Sequence, residues 1–439
     1  MASGHEQHGA GHHGEKTLPA VLNSPELLTA WRMRALIVFA VASLLSVAFM
    51  FSHEGRNHVI RAYLLGFMCC FAYAGGGLAM LMLQYVSGGK WGLLLRRPLE
   101  AMTRTLPLVA LMIVPVGIFG KHLYQWWAFP NPDATAKAFA DGIMTKEQQL
   151  TANAKHAMFN PTSAILQTVV VFGLLNLIAY LLNKWSLERD ADPAKGTLES
   201  YDRWRVKFEN LSGPCIFLYV VLLTDGALLW IMSLDVTWYS SIWGLQFLVG
   251  QGFAVLALSI LTVIRLSKVE PMKTLLRTTE QHDLGKFAFA FVMLNIYLSF
   301  AEFLIIWSGN VPDEIPWYLA RIRGGWWYVC SADFICHWLI PFCLLLSRNL
   351  KRDKKRLAAL AIFMLFARCV DMFWLIEPNF KGAAGNLVGE GPSILAYVTV
   401  PLAVMSLWAA YYFTQLMKRP LVNINDPHLE EMLEPEHAH

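Results

Sequence analysis

Five ionisable side chains sit where the surrounding sequence is otherwise apolar: Glu302, Asp333, His337, Arg368 and Asp371. They fall in three successive runs, each long enough to cross a bilayer as a helix. Ionisable groups are costly there, so each marks a functional site by default. Helical spacing gathers them further. Asn295, Ser299 and Glu302 lie at i, i+4 and i+7, on one face; Cys330, Asp333 and His337 share a second face, and Arg368 and Asp371 a third. At a rise of 1.5 Å per residue, the three carboxyls lie roughly 8–10 Å from the same end of their helices. Arg368 comes out about 12 Å down and His337 about 17 Å.

Such a set has three readings. Arg368 with Asp371 or Asp333 can be an ion pair that only locks two helices together. Alternatively, three carboxyls against one arginine leave spare groups that conduct or buffer protons. The third is a small-ligand or ion site. The inward continuations WLIPFCLLL and LAALAIFMLF are almost free of polar groups, so the expected network opens outward. An inner leg would need Gln251, Ser259 and Thr262 of the sixth span, with Asn295.

The elements that must hold these groups follow from composition. The 439-residue chain is 56% hydrophobic and 15% charged, too little charge to cover a soluble surface. The expected fold is an all-α polytopic membrane protein. Ten helices are expected near 32–52, 59–86, 104–121, 162–183, 213–234, 239–266, 284–308, 326–347, 356–377 and 393–417. Helices two to five and six to nine would each be a four-helix unit of the same orientation, flanked by helices one and ten. Residues 1–31 read as a tail with a short interfacial helix, opened by Ser24 as N-cap and Pro25. Residues 32–418 form the membrane domain and 419–439 an acidic tail. Between spans lie a basic segment at 87–103, a long loop at 122–161 and an amphipathic, charged stretch at 196–212. No cleavable signal is read at the start.

Lysine and arginine set the expected orientation. The face holding both termini carries 26 of the 36, the other face nine. Both termini are therefore expected in the cytoplasm and the 122–161 loop outside. The first residues, with His5, His8, His12 and His13, read as a Gly/His tail or a metal-binding tract.

A sparser polar set occurs in the first half, where Asp225 sits in LLTDGALLW and His122 in GKHLYQWW. Asp225…Trp230 and Asp371…Trp374 hint at a parallel duplication of the two bundles. Near Asp225, Tyr73, Gly75, Gly76, Gly77, Trp126 and Trp127 either shape a pocket for a flat lipid-soluble molecule or pack helices and line an aromatic belt. The seven cysteines form no CxxC or CxxCH, which argues against covalent haem or an iron–sulfur cluster. With only His337 placed deeply, a two-histidine haem b site is not expected either. No metal ligand set is expected.

The stretches YLSFAEFLIIWSGNVPDEIPWYLARIRGGWW (Tyr297–Trp327), LQYVSGGKWGLLLRRPLEAM (Leu83–Met102) and IFGKHLYQWW (Ile118–Trp127) resemble the ActF-type subunit of alternative complex III, a bacterial quinol:cytochrome c oxidoreductase. That family is similar to NrfD-like membrane proteins, and the resemblance covers nearly the whole chain. It implies a cofactor-free subunit of the cytoplasmic (inner) membrane. The implied partners are a paralogous NrfD-like subunit, an iron–sulfur subunit, c-type haem subunits and membrane lipids, with no nucleic acid. It also implies a proton route through the bundle. Quinol is a possible ligand, and His122 and Asp225 are the nearest matches in placement to the paralogue's quinol-site pair.

The chain is thus expected to support quinol oxidation in a respiratory oxidoreductase without being catalytic alone, and to supply a proton half-channel. Its path would use Asn295, Ser299, Glu302, Asp333, His337, Arg368 and Asp371. A proton-coupled or ion transporter acting alone, or a purely structural anchor, are the alternatives.

Overall fold

A computed structural model describes residues 22–380 and 395–423, together with Asn425, Asp426 and Leu429. The N-terminal histidines and most of the acidic tail lie outside the described residues. The described chain is all α-helical, without strands. Ten helices are long and apolar enough to cross a membrane, which makes this a multi-pass membrane protein. They are α1 (Pro25–Phe49), α2 (Glu54–Ser87), α3 (Arg96–Ile118), α4 (Pro161–Asp190) and α5 (Leu198–Leu234). There follow α6 (Trp243–Leu266), α7 (Thr278–Gly309), α8 (Trp326–Leu346), α9 (Lys354–Phe380) and α10 (Ala396–Met417).

Glycines and small residues explain which helices go to the middle. α2 carries Cys69, Cys70 and three successive glycines at Gly75–Gly77, and α6 carries Gly250 and Gly252. These two helices are 94% and 83% buried in their most apolar windows, against 11–17% for α1, α7 and α8. Small residues let backbones approach closely where no hydrophobic force drives helices together. α2 packs on α3, α5, α6, α9 and α10, while α6 packs on α2, α5, α7 and α9. Packing neighbours run in two cycles, α2–α3–α4–α5 and α6–α7–α8–α9, with α1 laid against α10.

The chain's two described ends meet on one face, here the terminal face. The Leu421 N–H donates to the Leu22 carbonyl at 2.8 Å, and the Asn23 amide donates to the Met417 carbonyl at 2.8 Å. Ser24 stands at the N-cap and Pro25 opens the helix, as expected, but the Ser24 side chain makes no capping bond; its hydroxyl donates to the Glu270 carbonyl. Nor is there a separate interfacial helix, because one helix runs unbroken from Pro25 to Phe49. The charged stretch at 196–212 is likewise continuous with its span, in a helix of Leu198–Trp230.

The 87–103 segment holds more structure than its basic composition suggests. Its helix, Arg96–Thr103, is buried at every residue. Glu100 accepts from Arg97 (2.7 Å), Ser186 (2.6 Å) and Arg419 (3.1 Å), and Arg96 pairs with Asp426 at 2.8 Å. Buried charges persist only when paired and hydrogen-bonded. This network ties α3, α4 and the segment after α10 together.

α6 meets α7 where glycine leaves room. A Cβ on Gly252 would lie 2.0 Å from the Phe291 ring, whereas one on Gly173 of α4 would meet nothing within 4 Å. Gly252→Ala should cost about 1–3 kcal/mol by overpacking, while Gly173→Ala should be neutral or slightly stabilising. Thermal unfolding of both variants in the same detergent checks the contrast; an equal Tm for both would contradict this packing.

Candidate functional site

α8 does not run as a regular helix. An α-helical start, Trp326–Asp333, gives way to a π-helical segment, Phe334–Leu339, and then to α-helix at Ile340–Leu346. Pro341 supplies the reason. It has no N–H to offer the carbonyl four residues back, and its ring crowds that carbonyl. The backbone widens by one residue instead, and the Ile340 N–H donates to the Ile335 carbonyl. π segments of this kind often mark functional sites. This one contains His337 and follows directly on Asp333.

His337 is 4% exposed, its ring 4.3 Å from that of Phe253 on α6. Its Nε2 is buried without a hydrogen-bond partner, and so is Asp333 Oδ1. Across the gap, Arg368 pairs with Asp371, one turn along α9. Both are buried, at 3% and 9% exposed. The Arg368 guanidinium fits because α6 has only a glycine at its nearest position; a Cβ on Gly250 would lie 2.6 Å from Arg368 Nη1. It also stands 5.7 Å from the Phe247 ring, a cation–π distance.

Asp333, His337 and Asp371 each present a ligand atom within 4.8 Å of the others, a spacing that could hold a metal ion. The Arg368 charge already neutralises Asp371 there, so a cation would enter against a guanidinium. With Arg368 already paired to Asp371, the donor set fits a hydrogen-bonding or proton-carrying role better than a cation site.

Glu302 sits apart from this trio. Its carboxylate accepts from Ser240, in the loop before α6, and from Gln246 Nε2 at 2.7 Å, beside the Tyr318 hydroxyl. Ser240 is half-buried and lies between the exposed Tyr239 and Ser241. Glu302 therefore links the interior to the face opposite the termini.

One cavity of about 720 Å³ collects all of these groups. Asn295, Ser299, Glu302, Asp333, His337, Arg368 and Asp371 all line it, with Gln246 and a largely aromatic and aliphatic remainder. Helix Ile315–Ile322 lies over its mouth on the opposite face. Trp317 and Tyr318 line the cavity and are nearly fully buried. Trp317 stacks on Trp238 at 4.4 Å and meets Trp374 edge-on. Arg321 lies 3.4 Å over Trp317 and donates to the Leu375 carbonyl and Asn379. Burial pulls the Arg321 pKa down to about 9. This cap was not visible in the sequence as more than an aromatic stretch.

Of the residues for an inner leg, only Asn295 reaches the cavity. Gln251 instead accepts from Tyr219, Ser259 is fully buried without a partner, and Thr262 faces Tyr412. In the first half, His122 and Asp225 are not brought together. His122 is exposed and lines a smaller pocket with Tyr63, Pro115 and Phe119. Asp225 is half-buried and does not line that pocket.

The ion pair makes its own prediction. Arg368→Leu alone should destabilise the protein by about 3–5 kcal/mol, because it strands a buried carboxylate. The Arg368→Leu/Asp371→Leu pair should restore most of that loss. Thermal unfolding of the two variants decides it; a double variant no more stable than the single one counts against the pairing.

Comparison with known protein families and with curated proteins finds no match to this chain.

Proposed function

We propose that this chain is a cofactor-free membrane subunit of a respiratory quinol-oxidising complex, with a proton half-channel towards the face opposite the termini. One observation carries the proton reading: seven polar residues, scattered over three helices in sequence, line a single cavity. Protonatable groups in hydrocarbon that face a shared cavity, and not lipid, are the usual makings of a relay. Asp333, His337 and Asp371 are close enough to exchange protons directly or through one water. From there the route runs to Glu302, then to Ser240 and the surface loop.

Quinol oxidation releases protons together with electrons, so an exit path has a direct use. The residues below His337 support a one-sided path. Gln251 and Thr262 are engaged by tyrosines, and no polar chain continues from the cavity along α8. Assembly with iron–sulfur, c-type haem and paralogous subunits rests on the family resemblance of Tyr297–Trp327 and its companion stretches. The cytoplasmic placement of both termini rests on the charge asymmetry.

The test is proton release by the assembled complex in liposomes containing a pH dye. Asp371→Asn and Glu302→Gln should each slow proton release about tenfold or more, and Ser240→Ala should slow it less. Unchanged rates in both carboxyl variants would leave only a structural anchor. Activity of the purified chain alone in liposomes, with no haem-bearing partner, would favour an independent transporter.

A further inference from the structure

One wall of the cavity is built by α7 and α8, and these two helices pack unevenly. α7 packs on α8 through Phe334–Leu346 and the turn Arg348–Arg352. The first turns of α8, Trp326–Asp333, pack instead on α9 and on helix Ile315–Ile322. α7 and α8 therefore diverge towards the opposite face. Ser299 and Phe300 on α7 and Phe334 and Ile335 on α8 border this gap; all four are exposed and line the cavity. Counted from the helix ends at Gly309 and Trp326, the gap lies about 12–15 Å into the span. That is the depth of lipid tails, not of water.

Behind the gap wait two buried polar atoms without partners, His337 Nε2 and Asp333 Oδ1. An unpaired polar atom in a low dielectric is costly, and a ligand hydroxyl or carbonyl would satisfy it. The cavity volume and its mostly apolar lining, with few convergent polar groups, match small-molecule sites in general. A water-soluble substrate would have to pass the Trp317–Arg321 cap; a lipid-soluble one meets no such barrier.

We infer that this cavity binds the flat hydroxyaromatic head of a lipid-soluble molecule, entering between α7 and α8, with its oxygen on His337 and Asp333. The proposed function supplies only the identity of that molecule, a quinol or quinone; the site itself rests on the geometry. The site differs from the His122–Asp225 region, which the family resemblance offered as the quinone-binding candidate.

The test uses the full chain in nanodiscs and 2-heptyl-4-hydroxyquinoline N-oxide, a fluorescent hydroxyaromatic with an alkyl tail. Binding should quench its fluorescence at one probe per chain. His337→Phe should weaken binding about tenfold or more, the effect of losing one buried hydrogen bond to a polar partner. Ser299→Trp, placed at the gap, should slow association. His337→Gln keeps a polar atom at the position and should retain part of the affinity, provided each variant elutes as a single folded species. Unchanged affinity in His337→Phe overturns the inference. So does absence of quenching, with a phospholipid retained one per chain on extraction, which would mean that an acyl chain fills the cavity. Absence of probe binding by the unmutated chain, with proton release by the assembled complex still sensitive to Glu302→Gln, sinks this inference alone. Intact probe binding with proton release indifferent to Glu302→Gln sinks the proton reading alone.

Discussion

A guanidinium cannot be left unpaired in hydrocarbon, and the arrangement around Arg368 follows from that constraint. Asp371 supplies the compensating charge one turn away on the same helix. Gly250 vacates the space the guanidinium needs, and Phe247 offers a ring face beside it. With one carboxylate committed to the arginine, Asp333 and His337 on the neighbouring helix remain polar groups without partners. The arginine thus does two things: it makes a charged centre tolerable inside the membrane, and it leaves the facing side chains available for chemistry.

The π segment of α8 is what presents those side chains. A regular helix with proline at 341 would have broken the hydrogen bond to the His337 carbonyl and left it exposed to hydrocarbon. The turn is instead widened by one residue, and the Ile340 N–H reaches the Ile335 carbonyl. It also leaves the first turns of α8 leaning on α9 and the cap helix, away from α7. The irregular turn that carries His337 thus traces to the placement of one proline.

Much of this was legible in the sequence because ionisable groups in apolar runs are rare and helical depth can be counted. Glu302, Asp333 and Asp371 were placed at one level by arithmetic, and they do line a common cavity. What could not be read is whatever depends on long-range packing. Nothing local to Gln246, Ser240 or Trp317 marks them out in the sequence. Only the fold sets them around Glu302 and over the cavity. The basic segment at 87–103 shows the same limit: its Arg96 and Glu100 find partners in distant parts of the chain, which local composition does not reveal.

That distance has a consequence for how the protein is made. Arg419 and Asp426, which complete the shells of Glu100 and Arg96, are translated after all ten helices. During synthesis Arg96 and Glu100 must therefore wait, in contact with water or lipid headgroups, until the final helix arrives. The terminal face is closed by the same late event, since Leu421 joins Leu22 and Met417 joins Asn23. The order of biosynthesis leaves this face as the last part of the fold to be sealed, and a ribosome-bound intermediate would show it open to quality-control machinery.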